Sequence, residues 1–293
     1  MASAEVPLGF GEAPAAAPAP AAVAAAHSAA APATSATPTA DTNQQPVYRA
    51  IGDSYAAGYA LSGPAGCARS VHAYPVLLAR TTLRRYRLQF RACSGATTQQ
   101  VARHELGPRA ANGAVRIVTV SAGGNDVGFG AIATCAPDVV ACEAAIGRGL
   151  ALERSGVIRR NIATLLRAVH AAMPNATVYV LDYPIDIQHT RSQSGCDVQT
   201  QLAIGLFGAR LDQLNVGLDA AIHGAVAQIA AADAHRPRSL RMRLHEVRSM
   251  IAAFAGHAMC SPANWIGRPG STSPLHPNAI GQAQLATAVR RAF

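Results

Sequence analysis

From Val47 to the C-terminus, short apolar runs alternate with longer amphipathic segments. Short runs of this kind are typical of strands in a parallel sheet that is covered by helices. They predict five strands, at 47–51, 86–92, 115–121, 177–182 and 240–245. In the third run the apolar residues Val115, Ile117, Val118 and Val120 do not alternate strictly with polar ones, as expected for a strand buried on both faces, so we predict that this strand is central.

The longer segments repeat apolar residues every three to four positions, which predicts helices over 157–173 and about 203–231. Pro174 ends the first of them, and a final helix is predicted from near Asn278 to Arg291. Strands and helices that alternate in this way indicate an α/β fold. We expect a three-layer α/β/α sandwich around a mostly parallel five-stranded sheet.

The first 46 residues are mostly Ala, Pro, Ser and Thr, a composition that buries too little apolar surface to offset the entropy of ordering the chain. We predict a disordered N-terminal segment over 1–46, either an export remnant or a linker, and one domain over 47–293. Residues 1–20 lack the basic start and apolar stretch of a secretory signal, which a start-site error or a truncated chain would explain. No apolar run is long enough to span a bilayer, so we expect a soluble protein.

The formal charge of +9 comes entirely from arginine. Arginines cluster at 84–87 and 236–248, which raises the alternative of a patch for nucleic acid or for an anionic surface. No aromatic-rich RNA motif or recognition helix accompanies them, so a solvated basic face is the favoured interpretation and no nucleic-acid partner is predicted. Peripheral contact with an anionic envelope or lipid surface stays open.

Six cysteines form an even set without the close spacing of a zinc ribbon or a thioredoxin-like site, which favours disulfides and an oxidising compartment. Several pairings are open. Nearness in sequence favours Cys67 with Cys93 and Cys135 with Cys142, which leaves Cys196 with Cys260. His257 and Cys260 have a His-x-x-Cys spacing, but no second nearby pair completes a metal site, so no metal is predicted.

The candidate chemistry lies after the strands. Ser54 follows the first strand in Gly-Asp-Ser-Tyr, Gly95 follows the second, and Asn125 follows the third. The carboxyl ends of parallel strands meet at one edge of a sheet, so we expect these residues to lie together. A serine needs a base and fixed donors for the oxyanion, and His276 in Leu-His-Pro-Asn supplies the base.

Taken alone, Gly-Asp-Ser is better explained as a turn with Ser54 as a helix N-cap, and Gly124-Asn125 as a turn. Only their combination with the late Ser-x-x-His-Pro predicts a catalytic site. The Gly-x-Ser-x-Gly elbow of α/β-hydrolases is absent from the sequence. A trypsin-like enzyme would need the order His, Asp, Ser, which this chain reverses.

With these motifs the chain resembles the SGNH, or GDSL-type, hydrolases over 47–293, and most closely their secreted actinobacterial esterases and lipases. Four blocks carry the resemblance: residues 52–55, Ser94-Gly95, residues 123–126, and His276-Pro277-Asn278. The resemblance implies a flavodoxin-like fold, three sequential disulfides, and no cofactor or metal. It also implies that Ser54 is the nucleophile, that His276 is the general base, and that Ser54, Gly95 and Asn125 form the oxyanion hole.

One position departs from the family pattern. Many members carry aspartate three residues before the histidine, where this chain has Ser273. Pro274 restricts the conformation of Ser273, so we predict that the Ser273 backbone carbonyl orients His276. Asp53 and Asp126 flank catalytic positions, and we expect them to bond loop N–H groups in the second layer of the site.

The sequence therefore predicts a secreted, monomeric carboxylic ester hydrolase that acts on a small ester or a lipid. Two alternatives keep the same site: a phospholipase and an acetyl esterase acting on polysaccharide. A third keeps only the fold, as a non-catalytic envelope-binding protein, and is suggested by the missing aspartate and the basic surface.

Overall fold

The computed structural model describes residues 45–61, 66–135 and 138–293, so residues 1–44 of the segment 1–46 predicted to be disordered lie outside the described residues. Within them, five strands form one sheet in the order β2-β1-β3-β4-β5, and every neighbouring pair is parallel. The predicted parallel sheet and its central third strand are confirmed. The strands are β1 Val47–Gly52, β2 Arg87–Phe90, β3 Val115–Ser121, β4 Thr177–Leu181 and β5 Arg243–Val247.

Strand β5 begins three residues later than predicted. A 3₁₀ turn at Arg238–Leu240 follows Pro237, and Leu240 is 53% exposed. The Met242 backbone N–H then donates to Asp233 Oδ2 over 2.7 Å, immediately before β5. Leu240, which the sequence pattern assigned to the strand, therefore lies in this turn.

The helices cover both faces of the sheet. They are α1 Ser54–Ala57, α2 Tyr74–Arg80, α3 Thr98–His104, α4 Phe129–Thr134, α5 Val139–Arg154, α6 Val157–Ala172, α7 Val198–Asp233, α8 Met250–Ala253 and α9 Ala279–Arg290. The three predicted helices correspond to α6, α7 and α9. Helix α7 begins five residues before the predicted start because Asp197 caps it, accepting a bond from the Thr200 backbone N–H.

Two hydrophobic clusters lie on opposite faces of the sheet. One packs Ile51 and Val118 against α6 and α7, and the other packs Tyr48 and Leu78 with residues of α9. Alternate residues of β1 therefore enter different layers. This arrangement is the expected three-layer α/β/α sandwich.

Three disulfides link Cys67 to Cys93, Cys135 to Cys142 and Cys196 to Cys260. This is the pairing that the sequence predicts. In the part of the chain that the structure describes, no helix is long and apolar enough to cross a membrane.

Candidate active site

The loop that carries Ser54 begins where β1 and β3 approach each other closely. Gly52 has a φ of +135°, and a Cβ at this position would collide with the Ser121 carbonyl oxygen. The Asp53 backbone N–H then donates to the same carbonyl over 2.9 Å. Only glycine fits this contact, and the chain leaves it as the short helix α1, whose first residue is Ser54.

Ser54 and His276 meet although 222 positions separate them. His276 Nε2 lies 2.8 Å from Ser54 Oγ, a hydrogen-bonding distance. The histidine stands just before α9, whose N-cap Asn278 accepts a bond from the Gly281 backbone N–H over 3.0 Å. Helix α9 thus fixes the segment that brings the imidazole to the carboxyl edge of the sheet.

The carbonyl that meets the imidazole belongs to Pro274 rather than to Ser273, and our prediction on this point was wrong. His276 Nδ1 lies 2.7 Å from the Pro274 carbonyl oxygen, whereas the Ser273 carbonyl accepts the His276 backbone N–H over 3.1 Å. Leu275 adopts a left-handed φ of +57°, which turns the Pro274 carbonyl toward the ring. A carbonyl only accepts, so Nδ1 carries the proton and Nε2 is free to accept from Ser54.

Burial lowers the pKa of His276, and the hydrogen bond to Pro274 opposes this shift in part. Desolvation acts this way because it disfavours the charged imidazolium. The imidazole therefore stays neutral, and able to accept a proton, at a lower pH than an exposed histidine.

Gly95 and Asn125 lie on adjoining loops. Gly95 has a left-handed φ of +82°, and the side-chain amide of Asn125 donates to the Ala96 carbonyl over 3.0 Å. An amide nitrogen has two protons, so this bond fixes the orientation of the side chain and leaves a second N–H available. Gly95 and Asn125 are thus joined through Ala96.

Asp53 and Asp126 bond other groups, not the Ser54–His276 pair. Asp53 accepts the Tyr55 backbone N–H over 3.0 Å and the Tyr183 hydroxyl, and burial raises its pKa to about 7. Asp126 accepts both the backbone N–H and the hydroxyl of Thr98 at the start of α3, over 2.9 and 2.6 Å. Both carboxyls thus bond backbone N–H groups in the first turns of α1 and α3, where the sequence predicted loop N–H groups.

Three residues beside the histidine have no predicted role. The rings of Tyr55 and Tyr59 lie 5.4 and 4.8 Å from the His276 ring, centroid to centroid. Gln282, which is fully buried, donates to the Tyr55 carbonyl over 3.0 Å and accepts the Tyr74 N–H over 2.8 Å. Tyr55 had a signal in the sequence, its place next to Ser54, but Gln282 is an ordinary polar residue within a helix.

His257 and Cys260, the pair with His-x-x-Cys spacing, both have other partners. Cys260 is in a disulfide, His257 Nδ1 lies 2.7 Å from the Ala263 carbonyl, and the His257 ring stacks on Trp265 with centroids 3.6 Å apart. Across residues 45–61, 66–135 and 138–293, no group of His, Cys, Asp and Glu is arranged to hold a metal ion.

A serine–histidine pair at the carboxyl edge of a parallel sheet is the arrangement of a serine-dependent hydrolase. Comparison with known proteins places the chain within that class. Residues 50–284 match the model of the GDSL-like Lipase/Acylhydrolase family. The chain belongs to this family, as the sequence motifs indicate, and is a carboxylic ester hydrolase of the GDSL type.

Among curated proteins, a lipase of Streptomyces rimosus is 31% identical over 260 residues, which cover 85% of this chain and 87% of that protein. Lipase 1 of Streptomyces coelicolor is 29% identical over 252 residues, covering 80% and 82%. Among solved structures, phospholipase A1 from Streptomyces albidoflavus matches with a TM-score of 0.66 and 25% identity. That match covers 85% of this chain and all of that one.

The crystal structure of an extracellular lipase from S. rimosus matches with a TM-score of 0.62 and 28% identity, over 85% of this chain and all of that one. Both structural matches cover 85% of this chain. Together with the family match, they favour the enzyme over the non-catalytic binding protein that the sequence left open.

Proposed function

We propose that residues 47–293 form the catalytic domain of a secreted serine esterase that acts through an acyl-enzyme on Ser54. The observation that carries the proposal is the 2.8 Å contact between Ser54 Oγ and His276 Nε2. His276 takes the serine proton as Oγ attacks the ester carbonyl, and then gives that proton to the leaving alcohol. Water, activated by the same imidazole, releases the acid and restores Ser54.

The oxyanion that forms during the attack needs donors on one side. We assign this role to the backbone N–H groups of Ser54 and Gly95 and to the second N–H of the Asn125 amide. The Pro274 carbonyl takes the place of the triad carboxylate, since it holds the Nδ1 proton of His276 without carrying a charge. This set requires no cofactor.

The test uses purified protein and short p-nitrophenyl esters. The wild type should hydrolyse them and should be labelled by a fluorophosphonate, whereas Ser54→Ala should do neither. Ser192→Ala, which changes an exposed serine in a loop, is the matched control and should behave like the wild type. Labelling that persists in Ser54→Ala would refute the assignment.

Phospholipid is the second substrate class to consider, because one structural relative is a phospholipase A1. A panel that varies acyl length on one alcohol, and then replaces the alcohol by phosphatidylcholine or by acetylated xylan, separates the three ester classes. A higher kcat/KM on phospholipid would select the phospholipase, and a higher kcat/KM on acetylated xylan the acetyl esterase.

Secretion is supported by the three disulfides and by the extracellular relative. Intact disulfides typically contribute about 2–5 kcal/mol each to small secreted domains. Thiol treatment should therefore lower the melting temperature, and an unchanged value would count against an oxidised native state. We expect a monomer, which light scattering after gel filtration tests.

Contact with a lipid surface is supported by two helices that project from the active edge. Asp219 of α7 accepts the Tyr183 N–H over 2.9 Å, just beyond the end of β4, while Asp233 bonds Met242 at the start of β5. Helix α7 therefore runs antiparallel to the strands, and its earlier part, residues 198–218, extends past the carboxyl edge. Helix α5 lies beside it, and together we call them the helical arm.

The two helices of the arm are parallel. Glu143 of α5 pairs with Arg210 of α7, and Gly149 lies against Leu214. Val139, the first residue of α5, therefore lies about level with Leu206 of α7, and α7 extends roughly two turns beyond it to Val198. Helical rise places Leu206 about 20 Å from Asp219 along the helix, and so well beyond the sheet.

The tip of the arm is apolar and exposed. Val140 is 77% exposed, Val198 73%, and Leu202 and Leu206 66% each. Val198, Leu202 and Leu206 are spaced four residues apart and so share one face, and residues 198–209 carry no charge. An exposed apolar face of this kind fits the boundary of a lipid layer better than it fits water.

Apart from Arg248, which follows the end of β5, the basic stretches lie near the opposite edge. Arg85, Arg116 and Arg243 line one cavity of about 460 Å³ beside the starts of β3, β4 and β5. Contact through this surface would turn the catalytic edge away from the lipid. We therefore assign the lipid contact to the arm tip.

Flotation with phosphatidylcholine vesicles tests this assignment. The double variant Leu202→Gln/Leu206→Gln should bind vesicles at least about tenfold more weakly and keep its activity on a soluble ester, while Arg85→Gln should bind like the wild type. Vesicle binding that is lost in high salt or in Arg85→Gln would favour the basic surface instead.

A further inference from the structure

The Tyr55 hydroxyl stands between two oxygen atoms. Its Oη lies 2.7 Å from Asp186 Oδ2 and 2.9 Å from the Leu275 carbonyl oxygen. Tyr55 and Asp186 are only 6% and 7% exposed. The phenol has a single proton to share between these contacts, and a carbonyl can only accept.

The number of protons available for these two contacts decides whether Asp186 is ionised or protonated. An ionised carboxylate also only accepts, so one of the two short contacts would then place lone pairs against lone pairs. A protonated Asp186 satisfies both contacts: its O–H donates to Tyr55 Oη, and the Tyr55 O–H donates to the Leu275 carbonyl. We propose that Asp186 is a positioning residue for His276, which holds its proton in the active enzyme and releases the histidine segment when it ionises.

Leu275 is the residue through which this chain of bonds reaches the histidine. It directly precedes His276 and holds a left-handed φ of +57°, which is unfavourable for a leucine. The Tyr55 bond fixes the peptide group that joins Leu275 to His276. The Tyr55 ring also packs against the imidazole, so the same tyrosine holds both the ring and the peptide.

Acidic groups surround Asp186. Burial, with Asp212 of α7 as a further contributor, raises its pKa to about 8, although the Tyr55 bond acts the other way. Burial, with Asp186 among the further contributors, raises the pKa of Asp219. The Tyr183 ring packs edge-on against Tyr55. A basic side chain also lies near this group: His189 Nδ1 is 2.7 Å from Asp212 Oδ2.

The second oxygen of Asp186 agrees with a neutral carboxyl. Within the described residues Oδ1 is buried and has no hydrogen-bond partner. An unpartnered oxygen costs less free energy on a neutral acid than on an anion. The hydrogen-bond geometry and the electrostatics therefore both indicate a protonated Asp186.

Ionisation changes the bonding in one step. Asp186 gives its proton to solvent base, the Tyr55 O–H turns from the Leu275 carbonyl to the new carboxylate, and no other bond changes. The Leu275 peptide loses its donor, and the left-handed turn is free to relax. Since this affects the histidine and not the substrate, kcat should fall while KM stays nearly constant.

The experiment records kcat and KM for a short p-nitrophenyl ester from about pH 5 to about pH 10. In the wild type, kcat should decline as the pH rises past about 8. Asp186→Asn should lack this decline, because its amide N–H donates to Tyr55 without titrating. Tyr55→Phe should lower kcat at every pH, by about tenfold, and should also lack the alkaline decline.

Asp212→Asn is the matched acidic control. Because the Asp212 anion raises the pKa of Asp186, neutralising it should move the alkaline decline to lower pH without removing it. This variant also decides the question if Asp186→Asn fails to fold, since an unmoved decline would overturn the proposal. A decline that persists in a folded Asp186→Asn, or full wild-type kcat in Tyr55→Phe, would overturn it as well.

This inference rests on the proposed function, and the two fail separately. If the fluorophosphonate does not label Ser54 in the wild type, the catalytic assignment itself is wrong. If Ser54 is labelled but the alkaline decline of kcat does not depend on Asp186, only the positioning role is wrong.

Discussion

The two halves of the site are built differently. The nucleophile half, residues 52–55 with Gly95 and Asn125, stands on the ends of three neighbouring strands within a buried sheet. The histidine half, residues 274–278, is a loop joined to its surroundings by two isolated bridges, Ile266 with Pro277 and Gly267 with Pro274. The first half is positioned by a continuous sheet. The second is positioned by a few backbone bonds, such as that from the Gly267 N–H to the His276 carbonyl over 2.8 Å, and by side-chain contacts.

The difference shows where the enzyme is sensitive to change. Strand pairing distributes the position of Ser54 over many hydrogen bonds, so few side chains outside the loop should affect it. The position of His276 depends on single groups such as the Pro274 carbonyl and the Tyr55 hydroxyl. Substitutions in the two halves should therefore differ in whether they change kcat, the stability of the fold or neither.

The largest effect is expected for His276→Ala. Without a base, kcat should fall by about 10⁴ or more, while the melting temperature stays close to that of the wild type. The double variant Ser54→Ala/His276→Ala should be no slower than the single ones, because the two groups act as a unit. The exposed His104 at the end of α3 supplies the control, and an equal loss in His104→Ala would contradict the assignment.

Asn125→Ala tests the nucleophile half. Removing one oxyanion donor typically costs about 10²–10³ in kcat, with little change in KM. Asn161→Ala is the matched control, since its amide donates to Asp126 over 3.4 Å and makes no bond with the Ser54–His276 pair. Steady-state kinetics of the two variants decide the point, and equal losses would show that Asn125 acts only through the loop.

Gln282→Ala tests how the halves are joined. The substitution leaves the Tyr55 carbonyl and the Tyr74 N–H buried and unpaired, and each such group costs about 1–3 kcal/mol. Urea unfolding followed by circular dichroism should show a loss of at least about 2 kcal/mol. Gln284→Ala, on the same helix, should stay within about 0.5 kcal/mol of the wild type. Similar values for both variants would mean that the buried amide is not the link.

The smallest effect is expected for Ser273→Ala. The carbonyl that meets the imidazole belongs to Pro274, so kcat should fall by less than about tenfold. Ser271→Ala, an exposed neighbour, gives the baseline for loop substitutions. A loss well above that baseline would show that the Ser273 hydroxyl is needed after all.

The nucleophile half could be predicted from sequence because it follows from a rule of parallel sheets. Once three strands are assigned, Ser54, Gly95 and Asn125 must lie at one edge. The exact ends of β5 and α7 depended on local bonds of Asp233 and Asp197, which apolar periodicity does not reveal.

The histidine half was predicted in identity but not in detail. The sequence indicates His276, yet the left-handed turn at Leu275 has no sequence signal, since leucine rarely adopts it. That one dihedral decides which carbonyl faces the ring. The contact between Tyr55 and Asp186 depends on tertiary packing across 131 positions, which no local pattern encodes.

Trp265 gives this molecule an optical use. It is the only tryptophan in the chain, its carbonyl accepts the Asn278 N–H over 2.8 Å, and its ring is stacked on His257. Indole emission responds to the surroundings of the ring, so the intrinsic fluorescence of the unlabelled protein should report on residues 265–278, which lead into and past His276. A stopped-flow instrument can then follow this segment during turnover without adding a dye.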